Sequence, residues 1–370
     1  FLHIGMHKTG TSAIQKSLVN FDDGHFFYAN LNDINHSIPL YTAFSKNPQK
    51  YHVWVNQGRN ARFVAEKRQE YKKLLAKNLD REDRHTIIIS GEDICSFDAD
   101  EARDFLSTLK GYGREINVVC YLRDPTSFAA SAFQESLKHG LKVIPQNISP
   151  NYKRKLEKFA SASACNSIIL KNFDRKDFSD GSVVNDFWKT IGMTAPKKTF
   201  QTNTSMTLQA ARVILLFNSS NLVFKGDYVL WKAYSRFKNL IQYEFSDAER
   251  IDSKLFSVIA DDSELDWLSQ ELRFQFRNYP AVNTLDHISG KDKLKEYLTE
   301  TNEEMKHGIR YILSRLGVST NLESAEELAN RLYYRCVADF EESAFKPEHK
   351  ALRFLTVHTA KLRRNLRNGL

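Results

Sequence analysis

The sequence predicts an α/β fold, a parallel sheet flanked by helices and continued by a C-terminal helical extension. Three observations predict it. Over the first 200 or so residues, short β-branched runs such as Thr86-Ile87-Ile88-Ile89 alternate with amphipathic stretches, the pattern of parallel strands joined by crossover helices. After about residue 205 only helical patterns remain. The 370 residues, 42% hydrophobic and 26% charged, can bury one large core or two modest ones. Gly (15) and Pro (8) are scarce, which excludes collagen-like and linker-rich chains.

Phe1-Leu2-His3-Ile4-Gly5 reads as a buried strand, followed by a polar loop and a helix through Ala13, Ile14 and Leu18. An insertion at about 21–85 then delays the second strand, 86–90. It is far longer than an ordinary connection of about 2–6 residues, and it carries a helical stretch at 60–77 and a loop rich in Asn and His. Asp98-Ala99-Asp100-Glu101 offers a capping box for a helix through Phe105, Leu106 and Leu109, ending near Gly111 and Gly113. The third strand is 116–123, and Asp124-Pro125 caps and starts a helix that runs to Gly140. A fourth strand at 167–173 precedes a helix at 183–191. Helices at 207–218, 228–243, 265–277, 292–316 and 324–343 follow. The expected organisation is an α/β core over 1–205 with a helical extension over 206–370 packed on it in the same domain.

The most informative segment is Gly5-Met6-His7-Lys8-Thr9-Gly10-Thr11-Ser12, between a strand and a helix. An open α/β sheet binds phosphates at such a place, because backbone N–H groups at a helix N-terminus point at the anion and the helix dipole adds to them. The Gly5-x4-Gly10 spacing equals that of a Walker A loop, but Thr11 stands where the Walker lysine belongs and the lysine lies inside the loop at position 8. The plain alternative is a helix-capping loop with a solvated lysine.

On these residues the sequence resembles the sulfotransferases that use 3′-phosphoadenosine 5′-phosphosulfate (PAPS), whose core is a P-loop-like α/β fold. Their phosphosulfate loop has the form Lys-Thr-Gly-Thr-(Thr/Ser), matched by Lys8-Thr9-Gly10-Thr11-Ser12, with His7 and Gln15 as in the bacterial members. In that family a strand-terminal Arg and a Ser eight residues later hold the 3′-phosphate, matched by Arg123 and Ser131. Arg supplies a planar fork of donors and Ser a hydroxyl. Further similar stretches are Ile89-Ser90-Gly91-Glu92, 170–173, 184–192 and Asn203-x-Ser205-Met206-Thr207, so that the resemblance covers about residues 1–220. The Arg-Lys-Gly phosphate motif of the cytosolic animal enzymes is missing; Lys225-Gly226-Asp227 is a faint echo of it.

The resemblance implies transfer of a sulfuryl group from PAPS to an acceptor hydroxyl, leaving adenosine 3′,5′-bisphosphate, with no metal required. His7, Lys8, Thr9, Gly10, Thr11, Ser12, Arg123 and Ser131 would bind PAPS, and Lys8 would neutralise charge on the leaving oxygen. The acceptor needs a base. Glu92, just past a strand end, comes first, His36 in the insertion second and His7 third. By analogy with bacterial members the expected acceptor is a hydroxyl on a polysaccharide or glycolipid. The rival readings are a P-loop nucleotide kinase or NTPase, and a non-catalytic nucleotide- or glycan-binding protein on the same fold. No basic-aromatic stripe points to nucleic acid.

The net charge of +8 is mostly local. Residues 346–370 hold seven Lys and Arg against one Glu, a net +6, and leave +2 for the rest of the chain. A basic tail of this kind suits a solvated helix face or a membrane surface. Cys95, Cys120, Cys165 and Cys336 lie far apart without a CxxC pair, which fits a reducing, cytoplasmic compartment. The chain does not start with Met, and an upstream signal or anchor is left open.

Overall fold

The computed structural model describes residues 1–6, 8–80, 86–196, 205–221, 227–277, 279 and 287–344. The elements run β1 (Leu2–His3), α1 (Thr11–Leu18), β2 (Phe26–Tyr28), α2 (Ser37–Phe44), α3 (His52–Asn56), α4 (Ala61–Leu79), β3 (Thr86–Ser90) and α5 (Ala99–Gly111). They continue with β4 (Ile116–Leu122), α6 (Pro125–Lys138), α7 (Tyr152–Ala160), β5 (Cys165–Asn172) and α8 (Val183–Thr190). Helices α9 (Leu208–Ser220), α10 (Tyr228–Glu244), α11 (Leu265–Leu272), α12 (His287–Thr299), α13 (Glu303–Arg315) and α14 (Ala325–Ala344) complete the series. None of these helices is long and apolar enough to cross a membrane.

The chain divides into two units. The first comprises Phe1–Phe128, Ser149–Asn203 and Asp261–Ala281. Its five strands are all parallel, in the order β2-β3-β1-β4-β5. Strand periodicity sorts the apolar side chains to opposite faces. Val118, Cys120 and Leu122 of β4 join a core with Leu40, Leu75, Phe105 and Leu156, from α2, α4, α5 and α7. Val119 and Tyr121 face the other way, toward Ala13, Ile14 and Leu18 of α1 and Phe187 and Trp188 of α8. Helices therefore cover both faces, as the expected α/β class requires.

The caps explain where the helices start. Asp98 accepts from the amides of Asp100 and Glu101 while Glu101 reaches back to the Asp98 amide, so the capping box forms as its spacing predicts. Asp124 likewise accepts from the Ser127 amide at 2.9 Å at the head of α6.

Three expectations need correction. The insertion contributes a fifth strand, β2, which is only three residues long and pairs with β3, too short to show a period. The helix expected at 265–277 stops at Leu272, where Arg273 turns left-handed at φ 50°. The single helix expected at 292–316 is two, because Asn302 caps α13 by accepting from the Met305 amide at 3.0 Å.

The second unit comprises Ala129–Ile148, Thr204–Ala260 and Val282–Leu370. Its core is helical, built on Phe133, Phe217, Phe237, Phe256, Ile309 and Leu332, all essentially without exposed surface. The basic stretch 346–370 and the Lys225-Gly226 pair lie outside the described residues.

Candidate functional site at the sheet edge

Strand β1 lies between β3 and β4, and the C-terminal ends of all three open on one edge of the sheet. The chain leaves β1 toward β2 on one side and leaves β4 toward β5 on the other. Such a reversal opens a crevice between β1 and β4, the place where open α/β sheets take ligands.

The loop after β1 occupies that crevice mouth. Gly10 is the N-cap of α1 at φ 74°, and Lys8 also holds a positive φ, 69°. Left-handed backbone is uncommon for a lysine and costs energy that only a fixed surrounding structure sustains. That surrounding is visible. Thr9, fully buried, donates its hydroxyl to the Met6 carbonyl, and a Cβ on Gly5 would overlap the Thr11 hydroxyl. A Cβ on Gly10 would sit 2.8 Å from Val183 and 3.2 Å from the Phe173 ring. Helix bonding starts with the Ala13 and Ile14 amides on the Gly10 carbonyl, at 2.9 and 3.2 Å. The Thr11 and Ser12 amides precede that first turn and have no intrahelical acceptor. Ser12 is exposed and Lys8 half-buried; His7 lies outside the described residues.

Arg123 follows β4 and reaches this loop. Its Nη1 donates to the Lys8 carbonyl at 3.1 Å, and its guanidinium lies 5.3 Å from the centre of the Phe173 ring. Tyr152 of α7 donates its hydroxyl to the Arg123 carbonyl. Burial lowers the Arg123 pKa, yet an arginine keeps its charge at any ordinary pH. Ser131 is half-buried on α6 and belongs to the second unit.

The end of β3 carries the other candidates. Glu92 opens a 3-10 turn (Glu92–Ser96) and is half-buried. Bonds from several elements fix that turn, Tyr51 donating its hydroxyl to the Asp93 carboxylate among them. Gly91 N donates to the His3 carbonyl (3.0 Å), Asp93 N to Ser37 Oγ (3.0 Å), Cys95 Sγ to the Glu92 carbonyl (2.8 Å) and Lys158 Nζ to the Cys95 carbonyl (2.6 Å). His36 has no exposed surface. Its Nδ1 accepts from the Ser90 amide at 3.1 Å, its ring stacks on Tyr28 at 4.2 Å, and burial pushes its pKa down to about 3. A ring so placed braces β3; it does not meet solvent.

No family model, curated protein or solved structure matches the chain. The site therefore rests on its own geometry. That geometry includes residues the sequence did not single out for the site. His3, fully buried and with its pKa also lowered to about 3 by burial, bonds Ser90 Oγ through Nδ1 at 2.8 Å. Gln15 donates to the Ser90 carbonyl at 3.0 Å and to Asn35 Oδ1 at 3.1 Å, tying α1 to the end of β3. Gln15 entered the sequence reading through the resemblance, without a place in the site.

Among the described residues, four buried side-chain atoms at these strand ends have no hydrogen-bond partner: His3 Nε2, Thr11 Oγ1, His36 Nε2 and Arg123 Nε. Such atoms are costly and uncommon, and they concentrate where a ligand or ordered water completes the network. Thr11 Oγ1 and Arg123 Nε can donate to an anion in the crevice. With the Thr11 and Ser12 amides they form a set of donors suited to phosphate or sulfate oxygens.

Proposed function

We propose that this chain is a sulfotransferase, built on a P-loop-like sulfotransferase core, that moves the sulfuryl group of PAPS to an acceptor hydroxyl. The observation that carries the reading is the displaced lysine. Lys8 stands inside the loop, in strained backbone, with its carbonyl held by Arg123 from the neighbouring strand end. A Walker-type NTPase would need that lysine at the start of the helix.

In this reading the amides and hydroxyls of Thr11 and Ser12 hold the 5′-phosphosulfate, and Arg123 holds the 3′-phosphate. The part Ser131 takes rests on the sequence spacing and the resemblance. The acceptor oxygen bonds to sulfur as the bond from sulfur to the bridging phosphate oxygen breaks, and that oxygen keeps the electron pair. Lys8 stabilises the charge that gathers there, and the Glu92 carboxylate takes the hydroxyl proton. Glu92 is preferred to His36 because it retains exposed surface, whereas His36 has none. A glycan hydroxyl is the proposed acceptor.

The test is binding followed by turnover. Adenosine 3′,5′-bisphosphate should raise the melting temperature of the full chain, and ATP with Mg²⁺ should not; the reverse pattern assigns the loop to a kinase or NTPase. Labelled PAPS should then transfer sulfate to a polysaccharide or glycolipid panel, whereas binding without transfer to any acceptor supports the non-catalytic reading. Arg123→Ala should weaken bisphosphate binding by about tenfold to a hundredfold in calorimetry. Unchanged affinity removes Arg123 from the site.

A further inference from the structure

The head of α2, inside the segment between α1 and β3, meets both the loop helix and the turn that carries Glu92. A Cβ on Gly91 would lie 2.7 Å from the Ser37 backbone nitrogen, so the approach leaves no room for a side chain there. The His36 amide donates to the Ser90 carbonyl at 3.1 Å, and the Asp93 amide donates to Ser37 Oγ at 3.0 Å. The end of β3 and the turn after it are thus fitted to the start of α2.

Two side chains join this contact to the loop helix. Gln15 of α1 is 3% exposed, and its Nε2 donates to the Ser90 carbonyl at 3.0 Å and to Asn35 Oδ1 at 3.1 Å. Asn35 Oδ1 also accepts from the Ser37 amide at 3.0 Å. Hydrogen bonds therefore lead from α1 through Gln15, Asn35 and Ser37 to Asp93, next to Glu92. Lys8 precedes the same helix by three residues.

The direction of each bond is settled by its backbone partner. The Ser90 carbonyl can only accept, so the Gln15 group that faces it is the NH2. The Ser37 amide can only donate, so the Asn35 group that faces it is the oxygen. Exchanging either side-chain amide for a carboxylate keeps the shape and has opposite consequences. At Gln15 it sets a negative acceptor against two acceptors; at Asn35 it keeps an acceptor for two donors.

We propose that Gln15 and Asn35 are positioning residues that hold Glu92 in place relative to the Lys8 loop, with the head of α2 as the spacer between them. The proposal rests on the sulfotransferase reading above.

The experiment measures two quantities in the full chain and its variants. One is kcat for transfer from labelled PAPS to the acceptor that the polysaccharide and glycolipid panel identifies; the other is the calorimetric Kd of adenosine 3′,5′-bisphosphate. Gln15→Glu should lower kcat about a hundredfold and Asn35→Ala about tenfold, the effect of misplacing a reacting group by an ångström or less. Asn35→Asp should stay within about threefold of the unaltered chain, because both its donors keep their acceptor. The bisphosphate Kd should move by less than about threefold in all three variants. Thermal melts verify the fold, and if Gln15→Glu does not fold, the two variants of half-buried Asn35 decide alone. A folded Gln15→Glu chain with unchanged kcat overturns the proposal. Equal losses in Asn35→Asp and Asn35→Ala overturn it too, as does bisphosphate affinity that falls as far as kcat, which would place the effect in the loop. Those results leave transfer by the unaltered chain intact; no transfer by the unaltered chain fails the sulfotransferase reading and this proposal together.

Discussion

The two units keep their polar groups in different places. In the first, buried polar side chains crowd the C-terminal edge of the sheet, where His3, Thr11, His36 and Arg123 each leave an atom without a partner among the described residues. In the second, the helices close over an apolar core of Phe133, Phe217, Phe237 and Phe256. The helical unit has two such atoms among its described residues, Gln209 Oε1 and Arg335 Nε, neither of them in the Phe core. Gathering four at one sheet edge sacrifices stability there, whereas an apolar core is built to stay folded. The contrast predicts that substitutions in the second unit act on stability, and substitutions at the sheet edge act on pH response and chemistry.

The largest effect should come from the helical core. Phe237→Ala removes a fully buried ring that packs against Phe217 at 4.7 Å and should cost about 3–5 kcal/mol. Urea unfolding measures it. A loss below about 1 kcal/mol would mean that this core is loosely packed and the contrast between the units is false.

Next comes acid sensitivity of the sheet edge. His3 and His36 have ordinary pKa values near 6.5 and folded values of about 3, both through burial. The unfolded chain therefore binds two protons, below about pH 6.5, that the fold refuses until near pH 3. Their contribution to stability is complete above pH 6.5 and is lost as the pH falls through that window. Each ring loses about 1.4 kcal/mol per pH unit, so roughly 4 kcal/mol disappears by pH 5. His36→Gln should halve the slope of unfolding free energy against pH. A flat profile between pH 7 and pH 5 would show that the rings are hydrated or already charged.

Lys8 is where the two kinds of effect part. Lys8→Ala keeps the loop backbone bonds and removes the ammonium, so sulfate transfer should fall by about a hundredfold or more, as when a donor to a developing negative charge is deleted. Stability should change by less than about 1 kcal/mol. Near-normal transfer would take Lys8 out of the chemistry.

How far these residues could be read in advance follows from how each acts. The strand–loop–helix around Lys8, Gly10, Thr11 and Ser12 was legible because consecutive residues set it, with Gly10 at the head of α1. The capping box at Asp98 and the cap at Asp124 were legible for the same reason. His3 and His36 were not read as braces of Ser90, because they meet it across 87 and 54 residues of chain, and only the sheet order β2-β3-β1 brings them there. The break between α12 and α13 was hidden by continuity. Leu294, Leu298, Met305 and Ile309 keep a helical spacing through it, and the one local sign was Asn302 followed by Glu303 and Glu304.

The smallest effect sharpens the comparison at the boundary between scaffold and site. Asp98 caps α5 one residue after Phe97, which leaves the turn carrying Glu92 and is itself buried. Asp98→Ala should cost about 1 kcal/mol, the ordinary worth of an N-cap. Its ion pair with Lys46 adds little, since both side chains are half exposed. The turn at 92–96 has its own fastenings in His3, Ser37, Cys95 and Lys158, none of which involves Asp98. Sulfate transfer should therefore survive the substitution within about twofold, given the small loss of stability. If it falls far more than that while the unfolding free energy moves by only the cap, α5 and the turn are one element, and Glu92 is held by the helix rather than by the sheet edge.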